Sequence, residues 1–323
     1  MINNSGEIEI LPPKKQLSLF GYENYFKSFN KLSLKNKLPN TILLSGKKGS
    51  GKATFAYHFI NYLLSINEKN KYSLESFKIN PDNKSYIDLC DNIHPNFFLL
   101  ENRDKEEHIK IDDVRDLRKF LNASTYKYNI KIVLIDNAEY LNVNSSNALL
   151  KSLEEPNKNT FFFIINNNSK KILSTIKSRS IEFRFFFNLI EKKTILSSLI
   201  NQYENNYNAN IIDDNFYTDS AGNILKFIKI LSENNINLKK DKLSCIFNLF
   251  DKYKIKNDAQ LLLLISFLIE LFYKDLSLKN NEKLNIYFYN KFKILSQIYS
   301  MNKFNLDKNN LLISLQGILK NET

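Results

Sequence analysis

The sequence predicts an α/β protein: a parallel, doubly wound sheet carrying a phosphate loop, followed by helices alone. Three observations predict it. Short apolar runs at 42–44, 96–100, 130–135, 161–165 and 181–186 alternate with stretches of helical spacing, the pattern of strand and crossover helix. The first run leads straight into Gly46-Lys47-Lys48-Gly49-Ser50-Gly51-Lys52 and then into a helical stretch. No proline follows Pro156, and no strand-like run follows residue 186.

Strand, glycine loop, lysine and helix in that order are what a phosphate-binding loop requires. Glycines let the backbone curl so that its N–H groups face phosphate oxygens, while the helix start and Lys52 add positive charge. The chain has seven glycines, and Gly46, Gly49 and Gly51 fall within six residues, which sets this stretch apart from an ordinary turn. The residue after the lysine should be Ser or Thr, whose hydroxyl holds Mg²⁺. Here it is Ala53. Thr54 is one residue on and about 100° round the helix, so it replaces Ala53 only with a register shift. The loop is suited to phosphate, and its metal site is damaged.

Taken in order, residues 1–20 are a lead-in, and 22–34 are helical with Phe26, Phe29 and Leu32 at core spacing. Residues 51–64 form the helix after the loop, and 65–92 read as a polar, irregular insertion. Residues 112–121 read as a helix capped by Asp112, with Val114, Leu117, Phe120 and Leu121 on one face. A helix over 145–154 ends before Pro156. Beyond the last strand, helical periodicity covers 189–202, 222–233, 242–253, 261–276, 284–301 and 306–319. A polar bridge at 232–241 marks a boundary. Three domains are expected: α/β over 1–186, a small helical domain over 187–236 and a helical C-terminal domain over 237–323.

Composition narrows the function classes. A net charge of +12 is compatible with contact to nucleic-acid phosphates, and equally with a coding bias toward Lys, Asn, Ile and Phe. Cys90 and Cys245 are far apart and form no CxxC, so neither a disulfide framework nor a structural zinc site is expected. The first ten residues lack a basic then apolar leader, and the apolar run 261–273 is too short for a membrane span. A cytoplasmic protein with no membrane partner is the expectation. His58 reads as a helix-face residue and His108 as a solvated one. The Phe and Tyr excess over 247–304 has helical spacing and reads as core or subunit interface.

A second piece of nucleotide chemistry is altered as well. The strand at 130–135 ends in Asp136, placed to hold Mg²⁺ through water, but the residue after it, which should be Glu to polarise a water, is Asn137. Glu139 is not at that position. With Ala53, two losses in one reaction argue for a protein that binds nucleotide weakly or not at all and does not hydrolyse it.

Residues 147–156, NALLKSLEEP, resemble the signature of the bacterial DNA polymerase III clamp-loader subunits, a branch of the AAA+ proteins. Residues 175–180, TIKSRS, resemble that family's TIxSRC motif, His94-Pro95 its HPD-type element, and 111–117, IDDVRDL, its helix motif. The resemblance is close over about 20–190. It implies an AAA+ P-loop domain, a helical lid and an oligomerisation collar. An altered loop with a kept SRC-like motif resembles the delta-prime subunits more than the ATP-hydrolysing gamma/tau subunits. By the resemblance, Arg179 is a finger reaching a neighbouring subunit's ATP site. The rarity of arginine, five of 46 basic residues, independently suggests a task for the planar guanidinium. The alternative is an ion pair within the domain.

Departures from the family pattern matter too. Ser180 replaces the motif's Cys, Asn166 stands at the sensor-threonine position, and Lys226 stands where a second sensor arginine is expected. Residues 65–92 offer Cys90 alone where relatives carry a four-cysteine zinc module, so no zinc is expected. The nucleotide site would comprise Gly46, Gly49, Ser50, Gly51, Lys52, Ala53, Thr54, Asp136, Asn166 and Lys226, holding ATP, ADP or nothing. The resemblance implies a non-hydrolysing ring member whose partners are gamma/tau and delta subunits, the sliding clamp and primed DNA. A gamma/tau-like ATPase and a free-standing basic P-loop protein are the rival readings.

Overall fold

The computed structural model describes residues 9–102, 108–125, 130–203, 211–238, 241–304 and 306–322. Arg103, residues 1–8 of the stretch read for a leader, and 239–240 of the polar bridge lie outside the described residues. The chain forms two compact units. One comprises Met1–Gln202 with Ser220–Asn223, and the other Tyr203–Asp219 with Ile224–Thr323.

Five parallel strands form the sheet of the first unit: β1 (Thr41–Ser45), β2 (Phe97–Leu100), β3 (Lys131–Ile135), β4 (Thr160–Asn166) and β5 (Ile181–Arg184). Their order is β2-β3-β4-β1-β5, so every neighbouring pair is joined through a crossover. The runs are apolar on both faces because both faces are covered. On one side Ile42, Leu44, Ile132, Leu134, Phe163 and Ile165 pack with α1 (Glu23–Leu34) and α2 (Lys52–Leu64), through Phe26, Phe29, Phe55 and Phe59. On the other side Leu43, Val133, Ile135, Phe162 and Ile164 meet residues of three helices. α4 (Ile111–Asn122) gives Val114, Leu117 and Leu121, α5 (Val143–Glu154) gives Leu149 and Leu153, and α6 (Ser174–Lys177) gives Ile176. This is a doubly wound parallel sheet with helices on both faces.

Two local expectations are corrected. Residues 65–92 are not an irregular insertion: they contain α3 (Lys84–Cys90), capped by Asn83, and bury Tyr72, Phe77, Ile79 and Leu89 in the core. Glu68 accepts from the N–H groups of Lys84 and Ser85, completing that helix start. Asp112 does not cap α4; Lys110 is its N-cap residue, and Asp112 sits in the first turn, paired with Arg115. There its charge still meets the positive end of the helix.

After β5, α7 (Leu189–Gln202) completes the first unit, and α8 (Ala221–Glu233) begins with that unit's Ser220–Asn223 segment. The second unit is helical: α9 (Lys242–Lys256), α10 (Ala259–Lys279), α11 (Leu284–Phe304) and α12 (Lys308–Lys320). Asp241, Asp258 and Asp307 cap α9, α10 and α12 by accepting backbone N–H groups. α10 is apolar almost all round and is the buried centre of the unit. Phe267 on it packs against Phe216 and Phe227, and Lys242 bridges Asp213 and Asp275 at 2.8 and 2.6 Å. Among the described residues no helix is long and apolar enough to cross a membrane.

Candidate functional site

The phosphate loop leaves β1 at the carboxyl edge of the sheet, at the point where the strand order reverses. Gly49 and Gly51 take φ of 80° and 97°, the left-handed region where a β-carbon is strained. The loop is tied into the fold at both ends. Gly46 N–H donates to the Asn166 carbonyl at 3.2 Å, and the Tyr22 hydroxyl donates to the Ser50 carbonyl at 3.0 Å. Tyr22 is buried with its ring edge-on to Phe185 and Phe187.

Lys52, 2% exposed, donates to the Gly46 and Lys47 carbonyls, both at 2.8 Å. Its ammonium is therefore bound by the loop that it would serve. Burial pushes it down to about 8, against the pull of Glu139 and Asp136. Ala53 turns its methyl group toward the hydrophobic core beside α2, and Thr54 follows half-buried.

The outer side of the loop is covered by Ser220–Asn223. Ser220 Oγ and Asn223 Nδ2 donate to the Lys48 carbonyl at 2.8 and 3.3 Å, and Gly222 N–H donates to the Gly49 carbonyl at 3.1 Å. A β-carbon on Gly49 would collide with Asn223 and Ser220. Of these contacts only the glycines had a signal in the sequence. Tyr22 and Ser220 carry no motif that marks them, and Asn223 lies between Gly222 and Lys226, in the stretch that resembles the family's second-sensor element.

Asp136 stands at the end of β3. Burial raises its carboxyl to about 6, against the hydrogen bond from Asn137 N–H and the charge of Lys52, with Glu101 and Glu139 raising it further. Asn137 has φ of 56°, a conformation that asparagine tolerates, and its Oδ1 accepts from Asn167 Nδ2 at 2.8 Å. Buried Glu139 accepts from Asn167 N–H and Ser169 Oγ. Asn166 is buried at the end of β4, its side chain bonded to Asn168. These side chains hold the turn after β4.

The fold thus gathers the loop residues, Asp136 and Asn166 at one edge. Lys226 is a half-buried residue of α8 in the second unit. Arg179 makes its contacts elsewhere: Nε and Nη2 donate to Glu154 Oε1, and Nη1 donates to the Thr175 carbonyl at 3.0 Å. Ser180 Oγ donates to the Ile176 carbonyl at 2.8 Å, filling its place in the turn.

Ala53 supplies no hydroxyl for a Mg²⁺ and Asn137 no carboxylate to polarise a water, while Asp136 keeps its carboxyl within the influence of the Lys52 charge. Among the described residues no three His, Cys, Asp or Glu side chains converge as a metal ion requires.

A family profile described as DNA polymerase III, delta subunit, matches residues 21–187, just over half of the chain. The chain belongs to that family. It is 36% identical over 140 residues to the DNA polymerase III subunit delta' of Pseudomonas aeruginosa, covering 43% of this chain and 41% of that protein. It is 28% identical over 267 residues to the DNA polymerase III subunit gamma of Buchnera aphidicola, covering 80% and 68%. The delta' subunit of the same Buchnera is 26% identical over 211 residues, covering 63% and 60%. The matched stretch is less than half of the Pseudomonas relative. Members of two subunit types thus resemble this chain, and the profile match ends within three residues of β5.

Proposed function

We propose that this chain is a subunit of a bacterial DNA polymerase III clamp loader that hydrolyses no ATP itself. It completes a ring with gamma/tau and delta subunits and lends Arg179 to a neighbour's ATP site while the sliding clamp is placed on primed DNA. In this reading 187–236 is the lid and 237–323 the collar that joins the subunits. The observation that carries the proposal is the loop lysine: Lys52 is bound to the carbonyls of Gly46 and Lys47, with Ala53 where the metal-binding hydroxyl belongs.

Purified chain assayed with Mg²⁺-ATP tests it. The expected result is no turnover above background. Turnover near ~1 s⁻¹, the low end of ordinary enzymes, and its loss in Lys52→Ala would overturn it. Ala53→Thr with Asn137→Glu is the complementary gain test. Its gain is expected to be small, because Asn137 sits at φ of 56° and glutamate is strained there.

One observation favours a second reading, an ATP-hydrolysing gamma/tau-like subunit. The gamma relative matches 80% of this chain, against 43% for the Pseudomonas delta' relative. The same assay separates the two readings.

A further inference from the structure

The amino end of the sheet, opposite the phosphate loop, carries a cleft of about 540 Å³ within the first unit. It lies where strands begin and helices end. Asn40, Ile130 and Asn159 directly precede β1, β3 and β4, while Ser33 and Leu64 stand in the last turns of α1 and α2. Leu38 and Leu64 are buried in its floor, with Ile130 and Phe161 beside them. A concave space of this size, with an apolar floor and a few polar groups, is the usual form of a ligand site.

The polar groups round that floor are mostly carboxamides. Asn40 Nδ2 donates to the Thr160 carbonyl at 2.8 Å, which fixes that side chain. Among the described residues, the carboxamides of Asn36, Asn67 and Asn159 bond to no protein group. Asn36 and Asn159 hold φ of 53° and 61°, a backbone reason to be asparagine; Asn67 has no such reason. Lys158 is the one charged residue among those lining the cleft; it is exposed and forms no ion pair among the described residues. Each carboxamide offers two donors and one acceptor, which match the alternating acceptors and donors of a peptide backbone. A fatty acid would use Lys158 and leave the carboxamides unmatched. A nucleic-acid strand would need more than one cation for its phosphates. We propose that this cleft binds a short extended peptide segment of another protein, with an apolar side chain on the Leu38–Leu64 floor and an Asp or Glu beside Lys158. The inference does not rest on the clamp-loader reading.

The test pans the full chain with a phage library of random nonapeptides, after subtraction on the Ile66→Arg variant. Ile66 is 49% exposed at the cleft, so arginine there obstructs the space without entering the core. Circular dichroism and melting of the variant are expected to be unchanged. Enriched sequences are expected to pair an apolar residue with Asp or Glu. The most enriched peptide, carrying a fluorophore and read by anisotropy, should bind Ile66→Arg at least about 10-fold more weakly than the parent. Lys158→Glu, at an exposed position, should weaken it by about 10-fold at low salt and by less at high salt. Failure to enrich any sequence, or equal binding by the parent and both variants, overturns the inference and leaves the proposed function standing. Tighter binding of oleate or of oligothymidylate than of the selected peptide, lost in Ile66→Arg, overturns the peptide assignment. Self-association of the chain that Ile66→Arg abolishes gives the cleft to a second copy and overturns it as well.

Discussion

Gly222 lies against Gly49 so closely that its N–H donates to the Gly49 carbonyl at 3.1 Å and a β-carbon on it would stand 2.5 Å from the same oxygen. Two glycines 173 positions apart in sequence thus meet backbone to backbone at the phosphate loop. Gly222→Ala must displace one backbone from the other. The expected cost is about 1–3 kcal/mol, as for other overpacked sites, read as a lower urea midpoint at constant slope. Amide exchange over 46–52 should speed up in the same variant. Ser220→Ala removes only the hydroxyl bonded to the Lys48 carbonyl and should cost about 1 kcal/mol. Equal stability of Gly222→Ala and the parent would show that the close approach is absent in solution.

Lys131 gives a prediction about the fold. It opens β3, is 4% exposed, and its ammonium donates to the carbonyls of Phe120, Leu121 and Ala123 at the end of α4. A buried cation there satisfies orphan carbonyls and the negative helix end together. Lys131→Met keeps the length but removes the donor. A loss of about 1–3 kcal/mol is expected, the scale of a charged hydrogen bond, measured by the same urea titration. A methionine variant as stable as the parent would mean that water serves those carbonyls equally well.

The pH dependence of stability has two opposed contributions. His58 is fully buried; its Nε2–H donates to the Gln16 carbonyl at 3.1 Å and its Nδ1 accepts from the Tyr72 hydroxyl at 3.0 Å. Burial holds the imidazole down to about 3, against the usual 6.5. The unfolded chain therefore binds the extra proton between those values, and stability from His58 is lost as pH falls from 6.5 to 3. Burial of His94 acts in the same direction. Asp136, raised to about 6 from 3.8, has the opposite sign: the folded chain holds the proton longer, so its contribution improves as pH falls through 6. Between pH 4 and 6 the Asp136 and His58 slopes offset each other. Asp136→Asn should therefore be more stable than the parent at pH 7 and lose stability more steeply below pH 6. Parallel curves for the two proteins, by thermal melting from pH 4 to 8, would remove the assigned Asp136 contribution.

The five strands and the loop were legible because each rests on consecutive residues: a run such as Ile132–Ile135 is apolar whichever face it shows, and Gly46–Lys52 is contiguous. What escaped depends on distant or scattered residues. The 65–92 stretch joins the core through Tyr72, Phe77 and Ile79, which show no regular period, and its helix is set by Asn83 and Glu68. The Ser220–Asn223 segment covers the loop through the Ser220 and Asn223 side chains and the Gly222 N–H, which bond loop carbonyls far away in sequence. Asn137 shows the converse. At its position the sequence lacks the glutamate that would polarise a water, and its left-handed backbone and bond to Asn167 also give it a structural reason to be asparagine.

Arg179 and Glu154 form an ion pair on the first unit, with side chains 29% and 47% exposed. Pairs this exposed are worth about 0–1 kcal/mol, so Arg179→Ala should leave melting and assembly nearly unchanged. If Arg179 acts on a neighbour's transferring phosphate, the same variant should cut that site's turnover roughly 10³–10⁵-fold. Arg179→Lys should fail too, because an ammonium lacks the planar fork. Glu154→Gln separates the roles: it removes the charge that holds the guanidinium within this chain, so a finger should act undiminished, whereas a structural pair is lost either way. The neighbour's site must be read alone, in an assembly whose other ATP sites are disabled by substitution of their loop lysines. Normal turnover of that site beside Arg179→Ala would leave the Glu154 pair as the whole of Arg179's role. Equal losses in Arg179→Ala and Glu154→Gln would point to the pair as a support of the subunit surface rather than to a finger.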